Sequence, residues 1–449
     1  MVALPEEFVK TTRQLMGEER FSRYLAAFDE EAPVSIRVNP KKLRMKNEES
    51  AAAMPSPTGL AEGDSSFFIL HSSFGKVPWC RHAYYLSERP NFTFDPLLHA
   101  GCYYVQEAAS MFLDHVLLSV ESLLLSDVTQ HLVALDMCAA PGGKSTLMRS
   151  ALPEGSVLYS NEPVPKRASI LLENITKWGW PDCVVTNSYP RDYVRSGLKF
   201  DIILCDVPCS GEGMIRKDTQ TIGEWSPQNV EKCWRLQRDI VSDAWACLND
   251  GGLLIYSTCT FNTKENEENI RWILETFDAE VLPVDVEAGW GITDSLLPGF
   301  NEPVYRFIPG ITRSEGLFMA VLRKGGKRRE ESGKRNEEKG ERREKSGKRR
   351  EECLRILTPP STINPQPSAL KPPPSIDLSY QQTISYLQRQ ALQLPPDTPL
   401  GLVQVCYQGH PLGMVKNLGT RANNLYPKEW AIKSTHVPSS PQFPTFLLS

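Results

Sequence analysis

Several features that would assign a chain to a particular class are missing from this sequence. No run is long and apolar enough to span a bilayer, and the first residues include neither a basic region nor an apolar stretch of the kind that directs secretion. The eleven cysteines include no Cys-x-x-Cys pair, which argues against a structural zinc site. We therefore expect reduced cysteines, a cytoplasmic location, and neither a bound metal nor a membrane partner.

The chain also lacks an excess of charge of either sign. Its 50 basic and 54 acidic residues give a net charge of −4 and a pI of about 6.1. Because overall basicity is absent, any contact with nucleic acid has to come from local basic surface. The 449 residues exceed one ordinary domain, so we expect two or three domains in a monomer.

The middle of the chain, residues 96–323, alternates helices with short apolar strands, which is typical of a parallel sheet covered on both faces. The predicted strands are 132–136, 157–162, 183–186, 200–206 and 253–257, with two edge strands at 304–307 and 317–322. The predicted helices include Gln106 to Leu118, one from Lys144, Lys166 to Trp178 and Asn229 to Leu248. This count and order predict an α/β fold with a doubly wound sheet of the nucleotide-binding type.

Residues 1–95 are predicted to form a small α+β domain that contacts RNA. A helix occupies most of the first 30 residues, and a strand follows from Ser35 to Pro40. Its alternation places Arg37 and Asn39 on an exposed face, which either touches phosphate or is simply solvated. A loop is predicted over 47–66, followed by strands at 67–70 and 83–86.

Residues 324–374 are highly charged and then rich in proline, which predicts a disordered linker that is either an inert spacer or a loose RNA tether. A small domain is predicted from residue 375, with a helix from Tyr380 to Leu392 and strands at 402–407 and 412–416. Residues 419–433 interleave basic, amide and aromatic side chains, which suits contact with unpaired bases. A solvated surface around a buried Trp430 is the alternative.

A glycine-rich turn follows the first strand of the predicted sheet. Gly143-Lys144-Ser145 matches the end of a phosphate loop, but Cys138 stands where that pattern needs its first glycine, which disfavours a nucleoside triphosphate. The glycines allow a ligand to approach the backbone, and the helix amides suit an amino-acid carboxylate. Glu162, at the end of the second strand, is placed to accept ribose hydroxyl protons. S-Adenosylmethionine has both of these groups.

Two cysteines each follow a predicted strand. Cys209 lies in Asp-Val-Pro-Cys-Ser-Gly-Glu-Gly at 206–213, and Cys259 lies in Tyr-Ser-Thr-Cys-Thr at 256–260. Carbon 5 of cytosine is too electron-poor to attack a methyl sulfonium, but a thiolate that adds at carbon 6 makes carbon 5 nucleophilic. Asp206 is placed to stabilise charge at ring nitrogen 3. The alternative is two buried structural thiols, and these residues alone do not assign separate roles to the cysteines.

These motifs resemble the Nop/Sun family of RNA 5-methylcytosine methyltransferases, in particular its bacterial 16S ribosomal RNA branch, RsmF. The resemblance is carried by residues 136–144, 161–162, 206–214 and 257–259, and more loosely by 421–427. It implies that Cys259 is the attacking thiol and that Cys209 helps to release the product. It also implies a class I methyltransferase sheet and a PUA-like RNA-binding domain over 375–449.

The resemblance further implies S-adenosylmethionine as cofactor and ribosomal RNA or the small-subunit particle as partner. The pocket residues it implies are Cys138, Ala139, Ala140, Pro141, Gly142, Gly143, Lys144, Glu162 and Asp206. One departure concerns the Asp that the family usually has after the third strand, near the adenine. Here the sequence reads Asn187-Ser188-Tyr189, so either Asn187 or Ser188 supplies a substitute hydrogen bond, or Tyr189 stacks on the adenine.

Other functions remain as alternatives. The RNA could be a tRNA, or the chain could be a non-catalytic RNA-binding assembly factor with a vestigial pocket. An amino-group methyltransferase is disfavoured because Asp206-Val207-Pro208-Cys209 lacks the second proline and the aromatic residue of that class. A DNA cytosine enzyme would leave Cys259 without a role.

Overall fold

The computed structural model describes residues 4–42, 75–125, 131–325, 352–360 and 373–441. The loop predicted over 47–66 and the strand predicted over 67–70 lie outside these ranges. The described strands form three sheets, one in each terminal region and a larger one between them. Within the described ranges, no helix is long and apolar enough to cross a membrane.

The N-terminal region packs a long helix beside a four-stranded antiparallel sheet. Helix α1 spans Glu6–Ala26, with a break at Gly17, where φ is 75°. The sheet has the order β2-β3-β1-β4. Its strands are β1 (Val34–Val38), β2 (Gly75–Lys76), β3 (Ala83–Leu86) and β4 (Tyr103–Val105), with the short helix α2 (Pro96–His99) before β4. Strand β4 lies beyond the boundary predicted near residue 95.

The prediction of an exposed polar face on and just after β1 is wrong. Arg37 is only 3% exposed and Asn39 is fully buried. The Arg37 guanidinium donates hydrogen bonds to the Gly143 carbonyl at 3.1 Å and the Thr146 hydroxyl at 2.6 Å. The Asn39 amide donates to the Trp178 carbonyl at 2.8 Å. The central domain covers this face, so these polar side chains join two domains and do not face solvent.

The central domain confirms the predicted doubly wound sheet. With strands numbered along the chain, its order is β10-β12-β9-β8-β5-β6-β7-β13, where β13 is Ile356–Leu357, and β11 pairs with β12. The five parallel strands are β5 (Val133–Asp136), β6 (Val157–Asn161), β7 (Cys183–Thr186), β8 (Phe200–Asp206) and β9 (Leu248–Thr258). Strands β10 (Ala279–Val281), β11 (Tyr305–Phe307) and β12 (Leu317–Lys324) are antiparallel additions.

Helices cover both faces of this sheet. The helices of this domain are α3 (Phe112–Leu124), α4 (Gly143–Ala151), α5 (Pro165–Trp178), α6 (Pro190–Ser196), α7 (Thr221–Glu224), α8 (Pro227–Cys247) and α9 (Glu267–Thr276), of which the short α7 packs against the cluster that contains α1 and not against the sheet. The chain order reverses between the neighbouring strands β5 and β8, and such a switch point is where doubly wound sheets bind ligands.

Helix α3 begins later than the predicted start at Gln106. The Glu107 carboxylate accepts hydrogen bonds from the backbone N–H groups of Ala109 and Ser110, both at 3.0 Å. These bonds stabilise a separate short 3-10 turn, Ala109–Met111, before α3. The periodicity of apolar residues runs through both elements, and therefore does not mark the boundary.

Part of the predicted disordered linker is a strand. Strand β13 (Ile356–Leu357) pairs antiparallel with β7, with Ile356 opposite Thr186 and Leu357 opposite Val185. Leu354 is only 7% exposed and packs in the core of the central domain. Within residues 352–360, Leu354 and Leu357 supply apolar surface to bury, so this stretch is not a disordered linker.

The C-terminal region is a four-stranded sheet with one helix. Strands β14 (Ser375–Asp377), β15 (Gly401–Tyr407), β16 (His410–Asn417) and β17 (Ala422–Asn424) pair in chain order, and α10 spans Tyr380–Leu387. Helix α10 is shorter than the helix predicted to Leu392.

The hairpin of β15 and β16 and the burial of Trp430 bear on two further predictions. Gln408 and Gly409, both with positive φ, form a two-residue turn between the strands, as tight hairpins require. Trp430 is buried, which agrees with the structural alternative for that residue.

One apolar core joins this region to the N-terminal sheet, because Ile36 and Val403 belong to the same cluster.

Candidate active site

Two cysteine side chains meet at the carboxyl ends of β8 and β9. The Sγ atoms of Cys209 and Cys259 lie 3.3 Å apart. The backbone holds the two loops together, because the Val207 N–H donates to the Ser257 carbonyl at 3.1 Å and the Gly213 N–H donates to the Cys259 carbonyl at 2.9 Å. The structure thus brings together the two thiols that the sequence singled out.

The Cys209 thiol is strongly affected by its neighbours. The hydrogen bond with Cys259 raises the pKa of the Cys209 thiol well above its ordinary value, and burial raises it further. The charge of Glu265 acts in the same direction. At neutral pH Cys209 therefore keeps its proton.

Each cysteine loop supplies a carboxylate that binds the backbone of the other loop. Glu212, three residues after Cys209, accepts hydrogen bonds from the N–H groups of Phe261 and Asn262, both at 2.8 Å. Glu265, six residues after Cys259, accepts the Ser210 N–H at 3.0 Å. These reciprocal bonds fix the separation of the sulfur atoms. Neither glutamate is predicted as a site residue from the sequence.

A partly buried ion pair lies beside the cysteines. The Lys144 ammonium and the Asp206 carboxylate are 2.9 Å apart. Burial lowers the pKa of Lys144, but the charge and hydrogen bond of Asp206 outweigh burial, with a contribution from Cys259, so the net pKa is raised. Lys144 is therefore a cation close enough to Cys259 for its charge and a thiolate there to stabilise each other.

The glycine-rich turn begins helix α4 at the switch point. Gly142 precedes the helix with φ at 115°, a left-handed conformation that favours glycine. Asp136, at the end of β5, accepts a hydrogen bond from the Ser145 hydroxyl at 2.6 Å, while its other carboxylate oxygen is buried without a partner among the described residues. Burial raises the pKa of Asp136 to about 7. Asp136 is a further site residue that the sequence analysis did not assign.

Neighbouring side chains hold this turn in place. Arg167 donates to the Ala140 carbonyl at 3.0 Å, and Asn174 donates to the Pro141 carbonyl at 2.8 Å. Burial raises the pKa of the Cys138 thiol, so this cysteine is a poor nucleophile. The turn is thus a rigid backbone surface whose helix amides are available to an anionic group.

Glu162 lies at the end of the neighbouring strand β6. Its carboxylate accepts the Val164 N–H at 2.9 Å and lies 3.3 Å from Arg167. A helix N-terminus, an acid with an unpartnered oxygen and a second acid one strand away are complementary to a ligand with amino-acid and ribose groups. The residues present therefore fit S-adenosylmethionine.

The loop after β7 contains Asn187, Ser188 and Tyr189, which stand where the family usually has an Asp. The Asn187 side-chain amide donates to the carbonyls of Glu162 and Pro163, at 2.8 Å and 2.9 Å. The Ser188 hydroxyl accepts the Arg355 N–H at 2.9 Å. Tyr189 is 65% exposed, so its ring is available to a ligand. Stacking of Tyr189 on the adenine stays a prediction.

Family models of known proteins match three stretches of the chain. Family models match residues 4–108, described as the N-terminal domain of 16S rRNA methyltransferase RsmF, and residues 123–323, described as 16S rRNA methyltransferase RsmB/F. A third, the methyltransferase RsmF PUA domain, matches residues 373–432. These stretches leave out residues 324–372.

Curated relatives agree with these matches. The ribosomal RNA small subunit methyltransferase F of Cronobacter sakazakii is 32% identical over 330 residues, and that of Escherichia coli O139:H28 is 32% identical over 341 residues. Each match covers 72% of this chain and 64% of the relative. The chain thus spans less than two thirds of the length of these relatives.

Solved structures support the fold. A methyltransferase homolog protein from Pyrococcus horikoshii is 25% identical, with a TM-score of 0.53 and coverage of 72% of this chain and 100% of that chain. NSun6 from Pyrococcus horikoshii, solved with SFG, is 20% identical, with a TM-score of 0.54 and coverage of 72% and 99%. The three family models and the curated relatives, taken together, show that the chain belongs to the RsmB/F family of 16S rRNA methyltransferases, with RsmF-type N-terminal and PUA domains.

Proposed function

We propose that this chain transfers a methyl group from S-adenosylmethionine to carbon 5 of a cytosine in 16S ribosomal RNA, through a covalent bond between Cys259 and carbon 6 of the base. The 3.3 Å separation of the two cysteine sulfurs is the observation that carries the proposal. Two structural thiols do not require a cation and a carboxylate beside them, whereas an addition to a pyrimidine ring uses both.

The cofactor supplies an electrophilic methyl group on a sulfonium. The turn at residues 138–144 would hold its amino-acid end against the first amides of α4, and Glu162 would accept its ribose hydroxyl protons. Asp136 contributes a buried oxygen without a partner among the described residues. All three lie at the switch-point edge of the sheet, on which the cysteines also lie.

Cys259 acts as the nucleophile in this proposal. Its thiolate adds at carbon 6, and the ring electrons move toward carbon 5 and nitrogen 3. Lys144 stabilises the thiolate before attack, because the two groups interact favourably. Ring nitrogen 3 takes up a proton from solvent as the thiolate adds, and Asp206 accepts a hydrogen bond from the resulting N–H, while the bond of Asp206 to Lys144 at 2.9 Å fixes its position.

Cys209 acts in product release. Once carbon 5 carries the new methyl group, its proton and the proton on nitrogen 3 pass to solvent water, the carbon 5–carbon 6 double bond re-forms, and the Cys259 sulfur departs with the electron pair of the carbon–sulfur bond. Cys209 holds a proton 3.3 Å from that sulfur and can transfer it to the departing thiolate. The raised pKa keeps the proton on Cys209 until the departing sulfur carries negative charge, and the short distance between the two sulfurs then allows its transfer.

The terminal domains supply the RNA contacts in this proposal. A cytosine has to leave its stack to reach a pocket between two loops, so the rest of the RNA needs holding. Arg421, Lys428 and Lys433 are exposed on the C-terminal domain, which offers positive charge despite the negative net charge of the chain. The buried Arg37 has no direct part in this contact.

Variants of the two cysteines test the proposal. Cys259→Ala is expected to abolish methylation of 16S RNA while S-adenosylmethionine still binds in calorimetry. Cys209→Ala is expected to accumulate a covalent protein–RNA species that migrates slowly in denaturing gels. Retained turnover in Cys259→Ala would defeat the assignment of the nucleophile, and the lack of an adduct in Cys209→Ala would defeat the release role.

Mapping of the modified base completes this test. Bisulfite sequencing of ribosomal RNA from cells with and without the gene is expected to show one or more cytosines that lose protection in the deletion. If the protected cytosines are found only in tRNA, the substrate is tRNA and not 16S ribosomal RNA. RNA binding without any affinity for the cofactor would instead support a non-catalytic assembly factor.

A further inference from the structure

Strand β13 lies in none of the matched family stretches, yet it extends the central sheet at its cofactor-binding edge. Because β13 is antiparallel to β7, the residues just before β13 lie at the carboxyl end of β7. There the Asn187 N–H donates to the Arg355 carbonyl at 2.8 Å, and the Arg355 N–H donates to the Ser188 hydroxyl at 2.9 Å. The backbone of β13 thus binds the loop that follows β7.

Two leucines fix this segment to the central domain. Leu354 packs in the cluster that contains Leu135 of β5. Leu357 packs against the cluster that contains Ala139, a residue of the glycine-rich turn. The segment therefore contacts both the loop after β7 and the apolar support of the turn.

The loop bound by β13 lies next to the predicted ribose site. Counting outward from the switch point, the glycine-rich turn follows β5, Glu162 follows β6, and Asn187 follows β7. If the amino-acid end of the cofactor lies at the turn and its ribose at Glu162, the base extends toward the loop after β7. The Asn187 side chain bonds the Glu162 carbonyl at 2.8 Å, so hydrogen bonds run from the ribose acid through Asn187 to Arg355.

We propose that residues 354–357 form the outer wall of the nucleoside end of the cofactor pocket and set cofactor affinity by holding Asn187, Ser188 and Tyr189 in place. This inference rests on the proposed function. The loop carries no carboxylate of its own, and its amide and hydroxyl side chains are bonded to protein groups. Base recognition then depends on the position of the loop and of the exposed Tyr189 ring, and β13 fixes that position.

The test compares two substitutions of one residue. Arg355→Pro removes the N–H that Ser188 accepts, whereas Arg355→Ala keeps the backbone bonds and removes only the side chain. For Arg355→Pro we expect the Kd for S-adenosylhomocysteine, measured by calorimetry, and the KM for S-adenosylmethionine to rise about tenfold or more, since the loop loses a bond that orders it. The KM for RNA, and kcat at saturating cofactor, should stay within about twofold of the wild type. Arg355→Ala, which keeps both backbone bonds, should raise the Kd for S-adenosylhomocysteine much less than Arg355→Pro does.

A second variant keeps the inference testable if Arg355→Pro does not fold. Ser188→Ala removes the acceptor of the same bond without a proline, and it should raise the cofactor Kd in the same direction. Wild-type Kd values in both Ser188→Ala and folded Arg355→Pro would overturn the inference. An equal loss in Arg355→Ala would also overturn it, because the side chain and not the backbone would then matter. A wild-type protein that binds no S-adenosylhomocysteine would instead defeat the proposed function.

Discussion

Glu212 is the residue whose substitution tests most sharply how the two cysteine loops are held. Its carboxylate accepts two backbone N–H groups of the Cys259 loop at 2.8 Å and the Trp225 indole N–H at 2.9 Å. In Glu212→Gln the amide oxygen keeps the two backbone bonds, but the amide NH₂ then faces the Trp225 donor. One buried donor without an acceptor costs about 1–3 kcal/mol, so we expect a loss of about 2 kcal/mol in the free energy of unfolding.

Activity should fall further than stability. Relief of the conflict between the two donors moves one cysteine loop against the other, and a displacement near 1 Å at reacting groups costs on the order of 10²-fold in rate. We therefore expect kcat for methylation to fall about 10²-fold in Glu212→Gln at a temperature where the variant is folded. Cofactor affinity should be unchanged, because Glu212 belongs to the cysteine loops and not to the turn.

Trp225→Phe provides the matched control. It removes the indole donor but leaves both bonds from Glu212 to the Cys259 loop, so kcat should stay within about threefold of the wild type. The assays are chemical denaturation for stability and incorporation of labelled methyl groups into 16S RNA for activity. A folded Glu212→Gln protein with wild-type kcat would refute the reasoning, as would an equal loss of activity in Trp225→Phe.

Three further predictions concern pH, stability and the cofactor. The pKa of Asp136 is raised in the folded protein to about 7, from an ordinary value of 3.8, so the folded state binds this proton more tightly than the unfolded state does. The difference stabilises the fold fully below pH 4, and this stabilisation is lost as the pH rises to 7. Between those pH values, the free energy of unfolding of the wild type should therefore fall by on the order of 4 kcal/mol relative to that of Asp136→Asn. Denaturation experiments that show the same difference between the two proteins at both pH values would contradict this. Arg306 donates a hydrogen bond to the buried Glu267 carboxylate at 2.7 Å, so Arg306→Met leaves this carboxylate buried without its cation. The free energy of unfolding should fall by about 3–5 kcal/mol, and an unchanged melting temperature would contradict this. Tyr189→Ala should raise the KM for S-adenosylmethionine about tenfold through lost stacking, with Tyr189→Phe close to wild type, and equal KM values in all three proteins would exclude stacking.

The sequence predicts the central sheet well because its strands are short apolar runs that end in polar or turn residues. The third and fourth strands match the predicted bounds, as Cys183–Thr186 and Phe200–Asp206. Their side chains are largely buried, so composition alone separates them from the helices. The same reasoning placed both cysteines at one edge of the sheet.

Tertiary contacts decide what the sequence could not show. Arg37 was predicted on an exposed face because alternation in a strand reports two faces, not what covers each of them. Glu212 and Glu265 bind backbone groups about 50 positions away in the chain, a distance at which no local pattern applies. Strand β13 follows a charged segment, and its two residues, Ile356 and Leu357, give too short a signal to predict a strand.

The most direct test of the central claim is to identify the sulfur atom that bonds the base. 16S RNA in which 5-azacytosine replaces cytosine has no proton on ring position 5, so the step that expels the thiolate cannot occur and the bond persists. After incubation with S-adenosylmethionine and digestion, mass spectrometry should find the nucleoside attached to the peptide that contains Cys259. A nucleoside attached to Cys209, or no attachment in a protein that binds both the RNA and the cofactor, would contradict the account.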